Sequence, residues 1–210
     1  MASMDELRKS VRESLPEVND IADKELGDKV VQAYALALSE TSFTRLEEMG
    51  CSGMIGGWRI PGLTQADHLR GVGRLARAIA REMQDLYGDT LDLDPDFAFA
   101  AGMLHDLGKP FFYDPEHIKH WTENQAHTGL PPFRHTFYGA HLALRADLPI
   151  EIAHVIAGHD VFMEGQYFDH SIYLEIVAAA DALYWQVPGR LGKLEKDDPV
   201  VPGPSGKLRG

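Results

Sequence analysis

The chain holds a single cysteine, Cys51, so no disulfide can close within it and no multi-thiolate metal site can be built. Cys51 reads as a small apolar side chain, and one unpaired thiol suits a reducing, cytoplasmic setting. Long hydrophobic runs are also missing. None approaches the roughly 20 residues that span a bilayer, and residues 1–10 are charged, which reads against a secretory signal. Positive charge is scarce. The net charge is −12, and Arg70, Arg74, Arg77 and Arg81 are spread along one helix instead of forming a basic stripe. An acidic chain repels nucleic-acid backbones and anionic membranes, so neither is an expected partner. A small phosphorylated ligand stays admissible, because a bound cation can reverse the local field. Strand-type alternation and internal repeats are absent as well, which points to an all-α fold.

What is present is helical. The 210 residues are 44% apolar and 25% charged, ordinary values for a globular domain. Between Glu17 and Glu40, Val30, Val31, Tyr34, Ala35 and Leu38 recur at helical spacing. Residues 52–63 hold Gly and Pro and read as a loop. Thr64-Gln65-Ala66-Asp67 has the form of a capping box, and the helix it opens presents Val72, Leu75, Ile79 and Met83 before Gly88. Asp94-Pro95-Asp96 opens another helix, with Asp as cap and Pro in the first turn. Residues 111–134 read as irregular; helices are expected over about 135–147, 149–159 and 170–186. The organisation expected is an N-terminal helical extension over 1–60, a domain over 61–186 and a Pro/Gly-rich extended tail over 187–210.

Ten histidines crowd this acidic chain, and four features suggest ligand chemistry. His105-Asp106 ends an apolar helix, where an unpaired carboxylate would cost several kcal/mol and a divalent cation would remove that cost. Taken alone, the pair could equally be a helix terminus with a histidine on its negative end. Asp181 is an acid within an otherwise apolar helix, on the face of Val177, Ala178, Tyr184 and Trp185, either hydrogen-bonded in the core or a ligand. His68 shares its face with Val72, Leu75 and Ile79. His135 opens a helix one turn before Gly139, which would admit a close neighbour, and His159 follows Ile152, Val155 and Ile156 on one stripe. His159 is a better ligand candidate than His154, whose face carries Glu151 and Gly158. Imidazole and carboxylate donors together suit Fe, Mn, Zn, Co or Ni.

The order His68, His105-Asp106, Asp181 resembles the H…HD…D signature of the HD superfamily of metal-dependent phosphohydrolases. HTFYGAHLAL (His135 to Leu144) resembles the H-x3-G-A-x2-L element of its dinuclear members, and IAHVIAGHD (Ile152 to Asp160) the helix that follows. The likeness covers about residues 64–186 and implies an all-α HD-domain helical bundle. It implies one ion on His68, His105, Asp106 and Asp181, and a second on His135 and His159 bridged through Asp106. Lys109 matches a lysine that contacts a substrate phosphate. Asp106 and Lys109 are thus the expected catalytic residues, and Lys109, His120 and Arg134 the expected substrate contacts. His117, Lys119 and Trp121 lie in the same irregular stretch.

The activity implied is hydrolysis of a small phosphorylated metabolite or nucleotide by metal-activated water, with two divalent ions, Fe or Mn foremost, and a homodimer admissible. Two rivals remain: a mixed-valent di-iron oxygenase, since the superfamily contains some, and a non-catalytic metal-binding sensor. Nitrile hydration is a minor third. The phosphonate-cleaving oxygenases carry a Tyr and a Glu just before the first histidine, whereas this chain reads GGWRIPGLTQAD there.

Overall fold

The computed structural model describes residues 2–52, 57–161, 163–167 and 169–196. It is helical apart from one small sheet. Helix α1 (Met4–Ser14) starts on a reciprocal Ser3–Glu6 capping box. The stretch expected to be helical from Glu17 instead opens with a 3-10 turn, Pro16–Asp20. Helix α2 (Lys24–Ser39) begins only where Asp23 accepts the Glu25 and Leu26 amides. These two helices share one contiguous core with the rest of the chain, in which Leu7, Val30 and Leu38 join Phe99, Leu142 and Val177. The Tyr34 hydroxyl, fully buried, donates to the Met103 carbonyl at 2.7 Å.

Residues 52–63, expected to be a loop, contain a strand. Strand β1 (Gly50–Ser52) pairs antiparallel with β2 (Trp58–Thr64). Most of β2 is exposed, so it shows no alternation of apolar and polar residues. It is held by backbone pairing on both sides. Its second partner, β3 (Glu195–Lys196), comes from the far end of the chain.

Thr64 and Asp67 form the expected capping box, opening α3 (Gln65–Tyr87), which ends at Gly88 with φ 58°. Asp94 caps α4 (Pro95–Leu104) as expected. These two helices approach closely: a Cβ on Gly102 would lie 2.9 Å from the Gly73 Cα.

The 111–134 stretch is not irregular. It carries α5 (Lys109–Tyr113), α6 (Pro115–Glu123) and α7 (Gln125–Thr128). Asp114 caps α6 just ahead of Pro115, repeating the device at Asp94-Pro95. Helix α8 (His135–Arg145) and α9 (Ile150–Gly158) follow. Gly139 permits the close approach expected of it, since a Cβ there would meet the Gly108 amide nitrogen at 2.9 Å. Helix α10 (Ile172–Arg190) runs past the expected end at 186, with Pro188 in its final turn and the helix ending two residues later. The expected extended tail therefore begins later, includes β3, and from 197 onward lies outside the described residues. Among the described residues no helix is long and apolar enough to cross a membrane.

Candidate metal centre

The centre is assembled mostly at helix ends, which is why separate elements can aim at one point. His105 sits just beyond α4 and His159 just beyond α9, both still in helical conformation. In each, the Nδ1–H donates to the carbonyl three residues back. His105 bonds Gly102 at 2.7 Å and His159 bonds Ile156 at 2.9 Å. That bond fixes the tautomer and leaves Nε2 with its lone pair directed inward. His135 occupies the first turn of α8, and His68 the first turn of α3. The His68 ring is held by packing, edge-on to Tyr184 with centroids 4.7 Å apart.

Asp106 stands between them, buried along with His68, His105, His135 and His159. Its two oxygens face different imidazole pairs. Oδ2 lies 3.1 Å from His68 Nε2 and 3.2 Å from His105 Nε2. Oδ1 lies 3.3 Å from His135 Nε2 and 3.6 Å from His159 Nε2. Asp181, on α10, brings Oδ1 to 3.4 Å from His68 Nε2 and 3.7 Å from His105 Nε2. Ligand atoms of His68, His105 and Asp181 all lie within 4.8 Å of one another, as do those of His105, Asp106 and His159. The structure thus brings together the six side chains expected from the sequence.

The donor set fits divalent cations on three grounds. Asp181 Oδ1 is buried without a hydrogen-bond partner. Facing ring nitrogens lie only 3.0 Å apart in the His68–His105 pair and 3.4 Å apart in the His135–His159 pair, close enough for each pair to share one cation. Metal–nitrogen bonds of about 2.1 Å separate neighbouring donors by about 3.0–3.4 Å, which matches these spacings.

Protonation follows from burial and from Asp106. Burial drives His135 down to about 4, so its imidazole is neutral near pH 7 and free to ligate. Burial likewise lowers His68, outweighing the pull of Asp106. Burial opposes charge on His105, but the Asp106 carboxylate outweighs it and the pKa rises. Burial pushes Asp106 up, yet His105 and Lys109 hold it well below the ordinary carboxylate range.

Lys109 is buried, not a solvated helix end, and its Nζ sits 2.7 Å from Asp106 Oδ2. Burial would lower its pKa, but the neighbouring carboxylate raises it, so the ammonium persists. A cation held by Oδ2 would share that oxygen with Lys109.

The centre opens into a cavity of about 370 Å³, whose walls include Lys109, Arg134, Asp160, Trp185 and Trp58. Arg134 Nη2 donates to Asp160 Oδ2 at 3.0 Å. His120 does not line this cavity. It is exposed on α6, bonded to Asn124, because its helix turns Ile118 and Trp121 inward instead. His117 bonds the Phe111 carbonyl, Trp121 is buried against the same ring, and Lys119 is exposed. His154 is partly buried and His141 exposed, away from the lining. Cys51 is buried, and burial pushes its thiol up to about 11.

Gln65 was not anticipated. It is 1% exposed, and its Nε2 donates to Asp106 Oδ2 at 3.0 Å. The legible signal was its position three residues before His68, on the same helix face. Asp160, Trp58 and Trp185 also line the cavity, and no sequence signal marks them.

The HD domain family matches residues 66–185, more than half of the chain, and the chain belongs to that family of metal-dependent phosphohydrolases. A curated relative, Ribonuclease Y of Lactobacillus acidophilus, is 28% identical over 177 residues. That match covers 83% of this chain but 27% of the relative, so the chain spans about a quarter of that protein's length. No solved structure matches significantly.

Proposed function

We propose that the protein is a dinuclear phosphohydrolase acting on a small phosphoester, a phosphorylated metabolite or nucleotide. The observation that carries this reading is the division of Asp106. One buried carboxylate turns Oδ2 toward His68 and His105 and Oδ1 toward His135 and His159. Asp181 joins the first pair, so each oxygen belongs to its own donor set. Divalent ions bound there, Fe or Mn by the family likeness, supply an acidic water and positive charge for phosphoryl oxygens.

The chain's own residues do the rest. Lys109 provides a permanent cation at the cavity floor, where burial strengthens its attraction for a phosphate oxygen. Arg134, steadied by Asp160, offers a second cation on the wall. Gln65 holds the Asp106 carboxylate in register. Membership in the HD family supports hydrolysis, and the named activity of the relative belongs to a far longer protein. A cavity of about 370 Å³ in a chain of net charge −12 favours a small molecule over a long polyanion.

The test pairs metal analysis of the protein as purified with phosphate release from a panel of mono- and diesters, an oligoribonucleotide included. Asp106→Ala is expected to lose bound metal and to lower kcat/KM at least 100-fold. Full metal content in that variant would sink the assignment. Oxygen uptake by the reduced, iron-loaded protein without any phosphate release would replace hydrolysis by oxygenase chemistry.

A further inference from the structure

We propose that the mouth of the cavity is a subsite for a flat aromatic group carried by the substrate, built by Trp58 and Trp185. This deepens the phosphohydrolase reading and rests on it for the identity of the anionic head.

The cavity combines charged and large apolar lining. Its floor carries Asp106, Lys109, His135 and His159, all buried. Its walls also include Trp58, Trp185 and Leu194. Trp185 reaches inward, its ring centroid 5.4 Å from that of His68. Trp58 lies at the other extreme, 53% exposed. What sets Trp58 apart from the other exposed apolar residues is its place on the wall of the cavity that holds the candidate ligands, where its ring is accessible to a bound molecule.

Trp58 is also fixed in place. The backbone of β2 pairs on one side with β1 and on the other with β3, where Trp58 itself stands opposite Lys196. Arg59 and Glu195 add an ion pair at 3.7 Å across the same two strands. Leu194, immediately before β3, is thereby carried onto the cavity wall. Trp58 and Leu194 both lie outside the stretch 66–185 that matches the family, whereas Trp185 is its last residue. Ala178 and Ala182, two turns and one turn before Trp185 on α10, line the same cavity with small side chains. A ligand with a negative head and a planar apolar body satisfies both kinds of lining at once. A compact polar phosphoester, such as glycerol phosphate, would leave the indoles wet.

The experiment uses the full chain loaded with Mn2+ and two phosphonates that share a head and cannot be hydrolysed as esters. Phenylphosphonate and methylphosphonate are titrated by calorimetry. Phenylphosphonate is expected to bind at least about tenfold more tightly, the range of one aromatic contact plus its buried area. Trp58→Ala is expected to erase that preference while leaving methylphosphonate affinity and metal content within about twofold. Trp58→Phe is expected to keep most of it, which separates ring contact from damage to the sheet. Equal affinity for the two ligands in the native chain, binding of neither, or a preference that survives Trp58→Ala overturns the subsite. Cleavage of phenyl phosphate is measured alongside. Ring-selective binding without cleavage of any phosphoester defeats the hydrolase reading and leaves the subsite standing.

Discussion

At the scale of single residues, the centre depends on how Asp106 is held. Its Oδ2 receives Lys109 at 2.7 Å and Gln65 at 3.0 Å, both from buried side chains. Lys109 contributes charge, whereas Gln65 contributes only orientation, because a neutral amide cannot compensate the carboxylate. Groups that orient a metal-binding carboxylate typically change affinity by about 10–100-fold when removed. Gln65→Ala is therefore expected to weaken metal binding by about that factor while the helix content is unchanged. Equilibrium dialysis against a metal buffer measures it, and unaltered affinity would show that Lys109 alone suffices. His135 belongs to the same scale. Burial keeps it neutral down to about pH 4, so ligation there needs no proton release at neutral pH.

Elements matter where they touch with no room to spare. Gly108, between His105-Asp106 and α5, lies against the start of α8, and a Cβ there would meet the His135 carbonyl oxygen at 2.0 Å. The obstacle is backbone, so α8 would have to shift. Gly108→Ala is expected to destabilise the fold by about 1–3 kcal/mol, seen as a lower Tm, and to displace His135. Loss of metal bound through α8, with the ion held by His68, His105 and Asp181 retained, is the accompanying readout. Unchanged Tm and metal content would contradict this packing.

The turn before α2 docks on α3 in a different way, through charge. Glu17 accepts from Arg70 Nε at 2.9 Å and pairs with Arg74. Burial raises the Glu17 pKa, but the two guanidinium groups lower it overall. A carboxylate with a lowered folded pKa contributes stability above its unfolded value and loses it as pH falls through the folded one. The contribution is small, since Arg74 is largely exposed. Glu17→Gln is expected to cost a little stability at pH 7 and to match the native chain in strong acid. Paired melting curves from about pH 7 down to pH 3 check the convergence. A constant gap across that range would argue against the ion pair.

For the whole molecule, the question is what the ions would add to a core that is already complete. The apolar core is contiguous from Leu7 to Ala180 and does not include the six candidate ligands. Chelation is accordingly expected to leave the far-ultraviolet helical signal intact while lowering Tm. A site saturated to 100 times its Kd stabilises by about 2.7 kcal/mol. Calorimetry with and without EDTA tests this, and Tm should climb with metal concentration. A Tm indifferent to chelator would argue against resident ions, whereas unfolding on chelation would make the ions part of the core.

Much of this was legible in the sequence because it depends on local physics. Helix starts at Thr64 and Asp94 follow from side chains capping nearby amides, and the same rule at Asp114-Pro115 could have located α6. Imidazoles and carboxylates set among apolar residues marked the candidate ligands, since such groups are seldom buried without a partner. Tertiary structure alone decided the rest. The three-stranded sheet joins β2 to a segment near the other end of the chain, and neither strand carries an alternating pattern that would announce it. Gln65 gains its role only when α3 is packed beside the turn holding Asp106, and His120 loses its role because α6 turns other residues inward. Capping and periodicity act over a few residues, so one chain suffices to read them. Which distant surfaces meet depends on the packing of the whole core, and that determined which two oxygens of Asp106 face which imidazoles.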